Sequence, residues 1–127
     1  MKKIKVLHII PTFSSGGAER VLLGYMKDFN NDPEFELHTL ALGENGGSIF
    51  DKEIELSNLN IKYAGIGAGK FLSGIRRMIA IRHEIKRLKP DIVHSHLRLT
   101  SYVRFASLFI SKKKRTSLDV LFFFLYV

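Results

Sequence analysis

Two hydrophobic periods take turns along the chain. From Ile4 to Ile10 large apolar and β-branched residues dominate until Pro11, the pattern of a strand buried on both faces. The segment "PTFSSGG" is turn chemistry, after which Ala18, Val21, Leu22, Tyr25, Met26 and Phe29 recur at three- and four-residue steps and predict an amphipathic helix ending at Asn30-Asn31. Beyond Asp32-Pro33, "FELHTLAL" predicts a second strand, "GENGGS" a loop, Ile49 to Leu56 a short helix, and "IKYAGI" a third strand. A longer helix is predicted from Phe71 to Leu88, with Leu72, Ile75, Ile79, Ile85 and Leu88 as its buried stripe. Arg76, Arg77, Arg82, Lys86 and Arg87 fill the remaining surface, and Pro90 stops the helix. "DIVHSH" then predicts a fourth strand running into a loop, and "LTSYVRFASLFI" a fourth helix before the basic run Lys112 to Arg115.

This alternation predicts an α/β fold: a Rossmann-like, doubly wound, mostly parallel sheet with helices on both faces. At 127 residues, 46% of them hydrophobic, the chain suits one such core and is too short for two ordinary domains. We expect residues 1–115 to form one domain and residues 116–127 to be an atypical apolar end, a truncated strand. That end, "LDVLFFFLYV", is far shorter than the roughly 20 residues that span a bilayer, and it carries Asp119. The basic residues before the first apolar run resemble a signal peptide, but the run is short and lacks a small-residue cleavage site. With no cysteine there is no disulfide framework, thiolate metal site or cysteine nucleophile, which suits a cytoplasmic setting.

The formal charge of +8 favours an anionic partner: nucleic acid, a lipid surface or a phosphorylated small molecule. No nucleic-acid module and no regular interleaving of aromatic with basic residues supports the first. The basic helix from Phe71 to Leu88 leaves two readings open, a peripheral contact with an anionic membrane or an ordinary solvated face.

In a doubly wound sheet ligands bind beyond the carboxyl ends of the strands, here "PTFSSGGAE", "GENGG", "GIGAG" and "HSHLR". Gly16 and Gly17 permit close backbone approach, and the first turn of the following helix offers free N–H groups to a phosphate or carboxylate; a tight strand-to-helix turn explains them equally well. "SSGGAE" lacks the spacing of a dinucleotide fingerprint. "GIGAGKF" fails as a P-loop, because Ala64 replaces its first glycine and Phe71 its hydroxyl residue. His94 and His96, two apart on a strand, project to one side at the ligand edge. As a pair they are an incomplete metal site, and we expect no metal there; a structural role fits His94 better than His96, because His94 lies nearer the strand body. His8, His38 and His83 show no comparable setting, and no D-x-D is present.

Taken together, "KVLHIIPTFSSGGAERVLLGYMKDF" and "LKPDIVHSHLRLTSYVRFASLF" resemble the N-terminal domain of family-4 glycosyltransferases of the GT-B fold, over roughly residues 2 to 115. The resemblance implies part of a retaining enzyme that moves a sugar from a nucleotide-diphosphate donor to a glycan or lipid-linked acceptor, in surface-polysaccharide or glycolipid assembly. It implies no cofactor and no essential metal. Gly16 and Gly17 would approach the donor diphosphate, and His96 would be the catalytic residue that positions and polarises the transferred sugar. Glu19, Arg20 and His94 match as acceptor-side or motif residues. The second domain of that family, which supplies most donor contacts, has no counterpart in this sequence, so the resemblance implies a fragment inactive by itself. The alternative is a noncatalytic module for an anionic lipid, a phosphate ligand or a partner subunit.

Overall fold

The computed structural model describes residues 2–13, 16–67, 72–96 and 99–107. Its elements alternate as β1 (Ile4–Ile10), α1 (Gly17–Phe29), β2 (Phe35–Ala41), α2 (Asp51–Ser57), β3 (Ile61–Tyr63), α3 (Ser73–Leu88), β4 (Ile92–Ser95) and α4 (Thr100–Ser107). The basic run at 112–115 and the apolar end at 116–127 lie outside the described residues.

All four strands are parallel, in the order β3-β2-β1-β4. β1 runs between β2 and β4, with His8 opposite Thr39 on one side and His94 on the other. Because side chains alternate across a strand, β1 serves two cores. Leu7 and Ile9 pack with Leu40, Val93, Ile81 and Ile85 of α3, and Val103 of α4, on one face. Ile10 packs with Ala41 and with Leu22, Leu23 and Met26 of α1 on the other, where Ile54 of α2 joins. Helices therefore cover both faces, as a doubly wound sheet requires.

The direction in which the sheet grows reverses once. From β1 the sheet grows outward through β2 to β3, and the next crossover returns to the far side of β1 to lay down β4. The carboxyl ends of β1 and β4 thus flank the topological switch point, where doubly wound sheets open a crevice.

α3 corrects the sequence reading. Leu72, Ile75 and Ile79, expected in its buried stripe, are 53%, 52% and 61% exposed. Ile85 and Leu88 are buried as expected, and Ile81 and Glu84 join them in place of the other three. The buried Glu84 accepts hydrogen bonds from Lys62 of β3 (3.1 Å) and from Arg87, and these two cations make its burial tolerable. Burial would raise the carboxyl's pKa, but the bonds from Arg87 and Lys62 prevail and lower it. In α1 the stripe is similarly rotated: Leu23 is buried, while Val21, Tyr25 and Phe29 of the expected set stay exposed.

Candidate functional site

The turn into α1 holds the first group of sequence-selected residues. Gly16 is the N-cap, with extended backbone angles and no capping side chain. Glu19, two positions inside the first turn's start and only 6% exposed, folds its carboxylate back over this residue. A Cβ at position 16 would sit 2.2 Å from Glu19 Oε2. A side chain at position 16 would have to move the end of the Glu19 side chain aside, and the carboxylate occupies the neighbourhood of the helix's positive end. Arg20 points elsewhere: its guanidinium pairs with Glu53 of α2 at 2.8 Å and lies over the Phe50 ring, joining α1 to α2. Gly43, after β2, also answers to packing, since a Cβ there would meet Thr12 Cγ2 at 2.8 Å and its N–H donates to the Pro11 carbonyl. Ser14 and Ser15, residues 68–71 of "GIGAGKF", and Leu97 and Arg98 lie outside the described residues.

The second group is a histidine cluster on the α1 side of the sheet. His94 and His96 do project to one face, with rings stacked at 4.3 Å and tilted by 26°. What the sequence reading missed is His8. Parallel pairing sets it directly opposite His94 on β1, and its ring centroid lies 5.1 Å from that of His94 and 5.3 Å from that of His96. His8 Nδ1 and His96 Nε2 share a hydrogen bond of 3.1 Å, one donating and the other accepting. The signal for His8 existed: it is a polar residue inside an otherwise buried strand. Only the strand order, invisible in a linear sequence, gives it two histidine neighbours. His38 pairs with Glu36 and His83 is exposed on α3, so neither joins the cluster.

Depth within the cluster also departs from expectation. His96 is 2% exposed and His8 6%, while His94, predicted to be the more deeply placed member of its pair, is half-buried. His96 ends up covered because its backbone N–H extends the ladder, donating to Ile9 O at 2.8 Å, and holds the residue against β1. Burial lowers the His8 pKa to about 3, with further lowering by the charges of His96 and His94. Burial, followed by the charge of His94, lowers His96 to about 4, and burial lowers His94 as well. All three rings are therefore neutral at pH 7. On the α1 side they adjoin an apolar cavity of about 250 Å³, lined by Val6, Tyr25, Phe29 and Leu37 beside His8 and His94.

Comparisons with known proteins agree with this architecture and narrow its meaning. No family model matches the chain. A capsular polysaccharide biosynthesis glycosyltransferase, CapH of Staphylococcus aureus, is 33% identical over 98 residues, which are 77% of this chain and 25% of that protein. The chain thus spans about a quarter of the curated relative it matches. Among solved structures, a protein designated a UDP-N-acetylglucosamine 2-epimerase from Listeria monocytogenes superposes with a TM-score of 0.65 at 24% identity, over 86% of this chain and 29% of its own. The apo form of WaaB, a lipopolysaccharide outer core galactosyltransferase, gives 0.61 at 22% identity, over 94% and 32%. These superpositions establish the Rossmann-like fold, and the CapH match establishes a glycosyltransferase-like sequence on it.

Proposed function

We propose that the chain is the N-terminal, acceptor-side part of a GT-B glycosyltransferase of family 4, one that transfers a sugar with retention from a nucleotide-diphosphate donor to a glycan or lipid-linked acceptor. The observation that carries this reading is the 33% identity to CapH across 98 residues. The switch point at the carboxyl ends of β1 and β4 supports it, since the turn into α1 follows one strand and His96 follows the other. Gly16 and Gly17 are assigned to the donor diphosphate, which then has to displace the Glu19 carboxylate from the helix terminus. His96 is assigned to positioning and polarising the transferred sugar. That role requires its ring to turn out of the His8 contact as a second domain closes over the crevice. Glu19, Arg20 and His94 are assigned supporting places in the turn, the α1–α2 contact and the cluster. The 127 residues alone are expected to transfer no sugar.

Joining the chain to the C-terminal half of a related transferase and screening nucleotide-sugar donors tests the reading. Transfer by the fusion, none by the chain alone, and a loss of about 100-fold in kcat for His96→Ala are expected. Unchanged turnover in His96→Ala overturns the assignment of His96. Transfer with no donor, across several folded fusions, overturns the transferase reading.

One observation favours a second property, contact with an anionic membrane from the cytoplasmic side. Leu72, just before α3, and Ile75 and Ile79 on it form an exposed apolar stripe on a helix that also exposes Arg76 and Lys86, and Phe105 of the adjoining α4 is 61% exposed. Apolar side chains bordered by cations are the composition of an interfacial surface. No helix among the described residues is long and apolar enough to cross a membrane. Sedimentation with anionic vesicles should capture the chain and that with neutral vesicles should not. Ile79→Glu should reduce capture several-fold, and equal binding to both vesicle types sinks the idea.

A further inference from the structure

The most unusual chemistry on this surface is the convergence of His8, His94 and His96, because a pair of histidines two apart on one strand has gained a third from the neighbouring strand. Their nearest ring nitrogens all lie within 4.8 Å of one another. A divalent ion bound at about 2.0–2.1 Å to tetrahedrally disposed nitrogens holds them about 3.3 Å apart. His8 Nδ1 and His96 Nε2, at 3.1 Å, already stand at nearly that separation. His94 needs an approach of up to about 1.5 Å, and as a half-buried side chain it has freedom to make it.

We propose that His8, His94 and His96 form a three-imidazole site for a divalent transition metal ion, with zinc as the fitting ion. Three neutral imidazoles are borderline-soft donors suited to zinc, copper, nickel or cobalt and unsuited to magnesium or calcium, which take oxygen ligands. The cavity beside His8 and His94 gives the ion a route in and leaves room for water as its fourth ligand. His94 on β4, His96 just after it with its N–H bonded to Ile9 O, and His8 on β1 all sit on paired backbone, so binding ties β4 to β1 through side chains as well as through the ladder. It also holds the His96 ring inward. An ion here therefore opposes the outward turn that sugar positioning requires, and the site is structural or inhibitory rather than part of transfer chemistry. The inference stands apart from the transferase reading, because ion uptake is measured on the chain without any sugar substrate.

The test uses the untagged 127-residue chain, stripped with EDTA and titrated with zinc chloride by calorimetry, and with cobalt(II) chloride by visible absorption. One zinc per chain, a dissociation constant in the micromolar range or tighter, and the intense visible bands of four-coordinate cobalt that zinc displaces are expected. His94→Gln, at the half-buried position, should weaken zinc at least tenfold while circular dichroism remains unchanged. The double variant His38→Gln/His83→Gln removes the histidines outside the cluster and should bind as the parent does. Absence of uptake overturns the proposal, as do weak cobalt bands typical of six-coordination or loss of binding in the His38→Gln/His83→Gln chain. Should His94→Gln unfold, the cobalt spectrum of the parent together with the His38→Gln/His83→Gln titration still decides the question.

Discussion

Lowering the pH from 7 to 5 should strongly destabilise this protein before most of its carboxylates protonate. In the folded chain His8 resists protonation down to about 3 and His96 down to about 4, because both rings are buried. In the unfolded chain both take a proton near 6.5, the ordinary value for an exposed histidine. Between these limits the unfolded state binds more protons, so stability rises with pH and falls as pH is lowered. Each ring costs about 1.4 kcal/mol per pH unit once the unfolded chain is protonated. From pH 6.5 to 5 two rings therefore remove about 4 kcal/mol, a large share of the ~5–15 kcal/mol that holds a typical domain. At roughly 4–8 °C per kcal/mol the thermal midpoint should drop by about 15 °C or more. Glu36, Glu53 and Glu84, whose folded pKa values are lowered from 4.5, act mainly at lower pH and do not confuse the window. Thermal unfolding followed by circular dichroism in EDTA measures the effect, and His8→Leu should flatten the dependence by about half. A midpoint that moves less than about 3 °C between pH 7 and 5 would refute the claim that these rings are buried and neutral.

Three further outcomes follow from packing. Ile85→Ala, in the core beneath α3, should cost about 2–5 kcal/mol in urea unfolding, while Ile79→Ala on the exposed stripe should stay within about 0.5 kcal/mol; similar costs would put the wrong face of α3 inward. Glu84→Gln should cost about 1–3 kcal/mol by the same assay, because a 3% exposed carboxylate loses two charged donors, and a neutral result would show that Lys62 and Arg87 contribute nothing. Gly16→Ala should destabilise the chain by displacing the Glu19 carboxylate, and adding Glu19→Ala should recover most of that loss. Additive effects would mean that the two residues do not meet.

The order of elements was readable in the sequence because hydrophobic period separates strands from helices, and β1 was predicted with its observed bounds. The facing of α3 was not. Leu72, Ile75 and Ile79 at its start keep helical spacing, which satisfies an amphipathic pattern, yet the structure leaves them exposed and packs the helix through Ile81, Ile85 and Leu88. His94 and His96 were legible as a pair from their spacing. His8 could join them only through the β1–β4 pairing, an 88-residue separation between His8 and His96 that no local pattern encodes. Glu19 and Arg20 were legible as part of a motif, whereas their structural tasks depend on Gly16 and on Glu53, one turn back and one helix away.

The central place of β1 also sets a timetable. It is made before α1, β2 and β4, yet one of its two ladders waits for Ile92–Ser95. Until then the unit formed by β1, α1 and β2 must stand with one side of β1 unpaired and with His8 exposed to water. Closure over so long a stretch is the slow kind of contact, and an edge left open during it invites pairing with other chains. The nascent protein should therefore lean most heavily on chaperones between synthesis of β2 and synthesis of β4, and its refolding in vitro should lose yield steeply as concentration rises.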